Sequence, residues 1–336
     1  MSKSFVFSVL VLLLLFSGMY FFVNEKSSVK YDYEMTFIPI IKKKPEIKAA
    51  TLVFGGDVML SRSIGIHMKK NDNYHMYWEP LYELIKDSDL SFVNLESPIS
   101  DKGANVGSIY SFRASPLVMD GVIESGLDVV SFANNHVWDW GRLAFLDTLD
   151  RLDNAGIIYA GAGMDSGESH MPKIISANGI EIAYLAYTDL VSEWLRRDDA
   201  EPSIAGIEME KIIEDIDYAK ELGADFVVVS YHFGEEYKTS HNSYQEKIAK
   251  ETIDAGANFV IGHHPHVAEG IELYKGGVIA YSLGNLIFDQ NFSPETSFGL
   301  MLKAKVSKDE ILSLEKIRID FNSTFVPKIG TIDEII

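Results

Sequence analysis

The chain reads as an α/β protein built on a largely parallel sheet. Short β-branched runs bounded by Gly, Asp or Asn have the character of buried strands. They alternate with segments whose apolar residues recur every three to four positions, and such alternation implies parallel strands joined by covering helices. In chain order, strands are expected at 51–56 (TLVFGG), 90–94 (LSFVN), 128–132 (DVVSF), 180–187 (GIEIAYLA), 225–231 (DFVVVSY), 258–262 (NFVIG) and 277–282 (GVIAYS). Helices are expected at 78–87, 116–126, 140–155, 208–222 and 243–256. The segment EMEKIIEDIDYAKELGA pairs an apolar stripe with a glycine stop, as a helix covering a sheet should. Residues 298–321 (FGLMLKAKV…EILSLEKIRIDF) look instead like an antiparallel pair closing the domain.

Ahead of this domain, residues 5–23 (FVFSVLVLLLLFSGMYFFV) form an apolar run long enough to span a bilayer as a helix. A core helix would not be apolar all round at the very N-terminus. A cleaved signal peptide is the competing reading, but no A-x-A-like site follows and the run exceeds a usual h-region. The expectation is a retained signal anchor after a short flank (1–4), followed by a stalk (24–49), the domain (50–325) and a C-terminal tail (326–336). Lysines lie on both flanks of the apolar run, so charge hardly decides orientation. A long domain after such a segment is normally translocated, which places this one on the extracellular face of the cell membrane in a single-pass protein.

Composition narrows the chemistry. The 336 residues are 47% hydrophobic and carry a net charge of −19, which argues against nucleic acid as a partner. There is no cysteine. Disulfides, thiolate metal ligands and cysteine nucleophiles are therefore excluded, and any metal must be held by His, Asp, Glu or Asn.

Three segments share one plan: ESGLDVVSFANNH, ELGADFVVVSYHFG and DAGANFVIGHHPH each run from a helix end through Gly into a strand, then release His or Asn. In an open α/β sheet, residues just past the carboxyl ends of parallel strands converge on one crevice. Five of the nine histidines are released there (His136, His232, His263, His264, His266), while His67, His75, His170 and His241 read as surface residues. Asp57 ends the first strand and Glu96 follows the second. Taken singly, each has an ordinary explanation as a turn residue, a cap or a core histidine. Together, Asp57, Glu96, Asn135, His136, His232, His264 and His266 form an oxygen-and-imidazole set suited to one or two divalent ions: Mn, Zn, Fe or Mg. A carboxylate such as Glu96 can bridge two cations and lower their repulsion. His264 and His266, in a tight turn, point different ways and could serve one ion each. His263 is the weakest of the triplet.

The motifs GGDVMLSR, NLESPI, ANNHVWDWG, YAGAG, HFGEEY, GHHPHV and YSLGNLIFD occur in the order found in the CapA family of capsule-biosynthesis proteins, and the chain resembles that family over about residues 51–290. The resemblance implies a calcineurin-like metallophosphoesterase fold, two mixed β-sheets packed together and flanked by helices (four-layer α/β/β/α), with an N-terminal membrane anchor. It implies Asp57 as the first-motif ligand, Glu96 as the bridging carboxylate, Asn135 as a ligand followed by a catalytic His136, His232 as the single-histidine ligand, and His264 and His266 as the final pair. Two departures stand out: the first motif's D-x-H has Met59 at its third position, so one ion loses a ligand, and the acid after Asn-His is displaced to Asp139. Arg62, Arg113, Glu236 and Asn285 are candidate substrate contacts.

The resulting expectation is a membrane-anchored protein acting in the synthesis or export of poly-γ-glutamate or a related anionic capsule polymer, alongside polymer synthase subunits. Its metal centre would bind or hydrolyse the polymer. Two rivals are an exported phosphomonoester or diester hydrolase and a non-catalytic scaffold subunit.

Overall fold

A computed structural model describes residues 48–190 and 201–336. The apolar run at 5–23 and nearly all of the stalk lie outside the described residues, and among those described no helix is long and apolar enough to cross a membrane. In chain order the first half contains β1 (Ala50–Val58), α1 (Arg62–Asn71), α2 (Tyr82–Lys86), β2 (Leu90–Leu95), α3 (Met119–Ser125), β3 (Val129–Ser131), α4 (Gly141–Ala155), β4 (Ile158–Ala160) and β5 (Ala162–Gly163). Then come α5 (Ser166–Ser169), β6 (Lys173–Ala177), β7 (Ile180–Thr188), β8 (Ser203–Ile204), α6 (Met209–Glu221), β9 (Phe226–His232), α7 (Ser243–Asp254) and β10 (Phe259–His263). The chain closes with β11 (Ile271–Tyr274), β12 (Gly277–Ala280), β13 (Asn285–Ile287), β14 (Phe298–Val306), β15 (Ile311–Phe321) and β16 (Pro327–Glu334).

Apart from β5 and β8, which pair only with each other, these strands make two mixed sheets. One runs β16-β15-β14-β1-β2-β3-β4, with β13 beside β1; the other runs β11-β12-β10-β9-β7-β6. β1, β2 and β3 are parallel, as are β7, β9, β10 and β12, while β14 and β15 form the antiparallel pair expected at 298–321.

Side-chain alternation explains why the sheets stack. Along β1 and β2, Leu52, Phe54, Leu90 and Phe92 face Tyr184, Phe226, Val228, Phe259 and Ile261 of the other sheet in a shared core. Phe54 lies 5.2 Å from Phe259, and Phe92 stacks on Tyr184 at 5.5 Å. The opposite face of the first sheet packs on α1 to α4 through Ile64, Met68, Val122 and Phe145. The outer face of the second sheet packs on α6 and α7 through Ile212, Ile216, Ile248 and Ile253. The result is a four-layer α/β/β/α arrangement with its strand ends open at one rim.

Two expectations change here. Residues 327–334 are not a tail beyond the domain but strand β16, hydrogen-bonded to β15. It is an exposed edge strand, where hydrophobic alternation is not required. The four remaining histidines are not surface residues either: each is half-buried. His170 pairs with Asp215 at 2.7 Å, His241 stacks on Tyr281 at 3.6 Å, and His67 and His75 bond to Tyr77 and Tyr82.

Glu269, between β10 and β11, is 6% exposed. Gln245 donates to its Oε2 at 2.8 Å, while Oε1 has no partner among the described residues. Burial pushes this carboxyl up to about 7. The folded protein therefore keeps a proton that the unfolded chain releases above about 4.5. Stability from this group is full at low pH and falls as pH rises from about 4.5 to about 7. Glu269→Gln keeps an acceptor for Gln245 and removes the ionisation. Its urea midpoint should match the parent near pH 4 and exceed it at pH 8, by up to about 3 kcal/mol.

Candidate metal centre

The open rim between the sheets is where the chemistry collects, and a backbone irregularity aims the first residue into it. β1 pairs Phe54 with Phe92 and Asp57 with Asn94, so three steps on one strand meet two on the other. This bulge at Gly55–Gly56 turns Asp57 onto the same side as Phe54, a side that strict alternation would deny it. Gly56 is needed because a methyl there would overlap the Gly284 carbonyl oxygen.

β2 needs no such device. Leu90, Phe92 and Asn94 share a face, and Glu96 continues it. On the other sheet Phe226, Val228 and His232 alternate inward, as do Phe259, Ile261 and His263. The turn after β10 places His264 and His266 at φ of +96° and +58°. Positive φ in non-glycine residues costs on the order of 1 kcal/mol each, and such strain persists where surrounding contacts enforce it.

The convergence is close. Asp57, Glu96 and His266 are almost fully buried, and one donor atom from each lies within 4.8 Å of the others. His266 Nδ1 is 3.3 Å from Asp57 Oδ2, and its Nε2 is 3.6 Å from Glu96 Oε1. His232 Nε2 lies 2.8 Å from Asn135 Oδ1. Its Nδ1 faces the Asn94 amide nitrogen at 3.2 Å, a donor, so Nδ1 accepts and Nε2 carries the hydrogen in this arrangement. The His264 and His232 rings are 4.9 Å apart. A second set, Glu236, His264 and His266, also brings its donor atoms within 4.8 Å, so the final histidine pair gathers in one set rather than diverging.

His136 stands opposite. Its Nδ1 donates to Asp139 Oδ2 at 2.8 Å, leaving Nε2 3.8 Å from Glu96 Oε1. Phe112 stacks on the ring at 3.9 Å, and the Phe112 amide donates to the same Asp139 oxygen at 2.7 Å. Asp139 thus fixes both the tautomer and the pose of His136.

Electrostatics follow from burial. Desolvation would raise the Asp57 carboxyl, but hydrogen bonds from His263 and His266 hold it well below its usual value. Glu96 is pushed well above its usual value, first by burial and then by the charges of Asp57, Glu236 and Asp139. Burial drives His232 well down and His264 to about 3, so both imidazoles are neutral with one lone pair each, that of His232 facing the Asn94 amide. Glu96 Oε1 and His264 Nδ1 are buried with no hydrogen-bond partner among the described residues. Carboxylates that repel one another, neutral imidazoles and orphaned acceptors are a donor set that fits a divalent cation.

Other expected residues separate by role. Arg62 pairs with Asp289 at 3.3 Å and lies over Phe112 at 5.3 Å, one ring away from His136. The Arg113 guanidinium covers Trp140 at 3.5 Å. Both line a cavity of about 430 Å³ together with Lys69. Asn285 is not positioned as a substrate contact: it is fully buried, its Oδ1 is 3.1 Å from His266 Nδ1, and its Nδ2 donates to His266 O and Gln290 Oε1. It orients His266.

One residue escaped the sequence reading. Asn94 sits in the middle, its amide nitrogen 2.9 Å from Asp57 Oδ1 and 3.2 Å from Glu96 Oε2. A polar residue at the carboxyl end of an otherwise apolar strand was the available signal. His263, expected as the weakest of the triplet, is fully buried and brings Nδ1 within 3.2 Å of Asp57 Oδ1.

A family model described as bacterial capsule synthesis protein PGA_cap matches residues 51–290. The chain is 31% identical over 258 residues to the capsule biosynthesis protein CapA of Bacillus anthracis, covering 75% of this chain and 62% of that protein. It is 34% identical over 253 residues to the PGA biosynthesis protein CapA of Bacillus subtilis, covering 71% and 63%. The chain thus matches less than two thirds of the length of either relative. Among solved structures, the calcineurin-like phosphoesterase YfkN of Bacillus subtilis aligns with a TM-score of 0.41 at 14% identity, over 86% of this chain and 90% of that one.

Proposed function

Since the chain belongs to the PGA_cap family of bacterial capsule synthesis proteins, we propose that it acts on poly-γ-glutamate or a related anionic capsule polymer through a divalent-metal centre. The polymer would be met outside the cell, by a metallophosphoesterase-like domain tethered through residues 5–23 and working beside synthase subunits. One observation carries the chemical part of this reading: Asp57, Glu96 and His266, from three separate strand ends, bury their donor atoms within 4.8 Å of one another. A buried Glu96 oxygen is left without a partner in that cluster.

Asp57, Glu96, Asn135, His232, His264 and His266 would hold the metal, His232 and Asn135 by giving up the hydrogen bonds they make to Asn94 and to each other. When bound, divalent ions would supply Lewis acidity and a water of lowered pKa. The chain's own groups do the rest. His136, with Nδ1–H tied to Asp139, presents Nε2 toward the cluster, where it can deliver a proton to a departing amine or oxygen. Arg62, Arg113 and Lys69 line one cavity, with Arg62 a single ring from His136, and gather positive charge there on a protein of net charge −19, which favours a polyanion's pendant carboxylates.

The ordered His136–Asp139 pair favours hydrolysis over a purely structural metal. Full-length protein in detergent, loaded with Mn²⁺, should shorten poly-γ-glutamate chains on size-exclusion analysis, and His136→Ala should slow this by roughly 100-fold or more. Turnover of an aryl phosphate with no effect on the polymer would overturn this reading in favour of a phosphoesterase. Mn²⁺-loaded protein inert toward both would favour a scaffold.

A further inference from the structure

We propose that Glu236 is a metal ligand, the oxygen donor that reaches the ion at His266 from the solvent side. The inference rests on the metal-centre reading and goes beyond it, because Glu236 entered as a substrate contact.

Four observations point to it. First, a Glu236 oxygen and one nitrogen each of His264 and His266 lie within 4.8 Å of one another. Second, His264 is 7% exposed and its Nδ1 has no hydrogen-bond partner among the described residues. The set therefore contains a buried donor atom with nothing to bind. Third, the side chain in the third position of the first motif is not available for the ion. The Met59 sulfur accepts from Ser61 N at 3.2 Å and from Ser61 Oγ at 2.9 Å, and the residue is fully buried.

The fourth is how the loop is held. Gly234, at φ +98°, turns the chain after β9, and Tyr237 follows at φ +64°. Tyr237 N–H donates to Pro265 O at 2.8 Å, between the two histidines, and Gln290 Nε2 donates to the Tyr237 hydroxyl at 3.2 Å. Tyr237, next to Glu236, is thus tied to the His264–His266 turn through its backbone and to Gln290 through its hydroxyl. Glu235, the adjacent acid, faces away: Asn242 Nδ2 donates to it at 3.4 Å.

His266 belongs to both donor sets. Its Nδ1 lies 3.1 Å from Asn285 Oδ1, an acceptor, so Nδ1 carries the hydrogen and Nε2 holds the one lone pair. A single lone pair serves a single ion. Glu96 would reach that ion from the buried side and Glu236 from the exposed side. Three carboxylates with imidazole and no sulfur make a hard donor set, suited to Mn²⁺.

The test is Mn²⁺ binding by the full chain in detergent, followed by titration calorimetry and by the EPR signal of free Mn²⁺. Glu236→Gln should weaken binding at least tenfold, Glu236→Asp should recover part of the loss, and Glu235→Gln should bind as the parent does. Parent-like affinity in Glu236→Gln, with binding lost in Asp57→Asn, overturns the assignment and leaves the metal centre standing. A parent protein that binds no Mn²⁺ overturns both.

Discussion

Asp57→Asn should lower divalent-metal affinity by about 100-fold or more, a larger loss than the 10- to 100-fold typical when an outer partner of a ligand is removed. Asp57 is fully buried, touches His263 and His266, and shares a donor set with Glu96 and His266. Asparagine keeps the shape but removes the charge, and an amide oxygen is a poorer partner for a hard cation. The metal-free protein should also lose stability. Asp57 is held ionised by hydrogen bonds from His263 and His266, which an asparagine answers with one oxygen only; the relief of its repulsion on buried Glu96 offsets part of that loss. In EDTA near neutral pH the variant should unfold at a lower urea concentration than the parent. With metal at 100 times the parent's dissociation constant, the parent gains about 2.7 kcal/mol, and a variant binding 100-fold more weakly gains about 0.4 kcal/mol. Urea melts with and without Mn²⁺ measure both numbers at once. A variant stabilised by Mn²⁺ as fully as the parent would remove Asp57 from the centre.

The layers of this fold were readable because buried strands and covering helices leave strong periodic traces. All seven expected strands are present, and the antiparallel pair falls where alternation with charged residues indicated. What went unread has physical reasons. β4 and β13 are three residues each, too short for any period to register, and β16 (PKIGTIDE) carries Pro, Gly and charges on an exposed edge. The helix at 62–71 was missed because RSIGIHMKKN buries only Ile64 and Met68.

The site was readable from a topological rule rather than from any single residue: side chains released at parallel strand ends meet. That rule gathers Asp57, Glu96, Asn135, His136, His232, His264 and His266, but it cannot assign partners. Asn285 sits beside Asp57 through the β1–β13 pairing, a contact across more than two hundred residues that no local pattern reports. Its role as an anchor for His266 emerges only in three dimensions. Arg62 likewise acquires meaning from Phe112, which links it to His136.

Asn94→Asp should be among the most damaging single-atom changes available in this protein. The Asn94 amide nitrogen faces three acceptors at once: Asp57 Oδ1 at 2.9 Å, Glu96 Oε2 at 3.2 Å and His232 Nδ1 at 3.2 Å. Its oxygen accepts from Asn134 Nδ2 at 3.1 Å, which fixes the amide's orientation. An ionised aspartate there has no hydrogen to give and adds a third carboxylate to a site with no exposure to water. By analogy with breaking a buried charged pair, the cost is about 3–5 kcal/mol, against a total stability of roughly 5–15 kcal/mol for a domain. Protonation softens the loss at low pH, since a carboxylic acid regains one donor. In EDTA, the urea midpoint should therefore drop further at pH 8 than at pH 5. Mn²⁺ should reverse the order of effects, because a dication is worth more with one further buried carboxylate beside Asp57 and Glu96. The variant's midpoint should rise more on adding metal than the parent's does. A midpoint equal to the parent's in EDTA at pH 8 would show that Asn94 is not the donor holding the two carboxylates together, and the cluster would need a different account of how it survives without an ion.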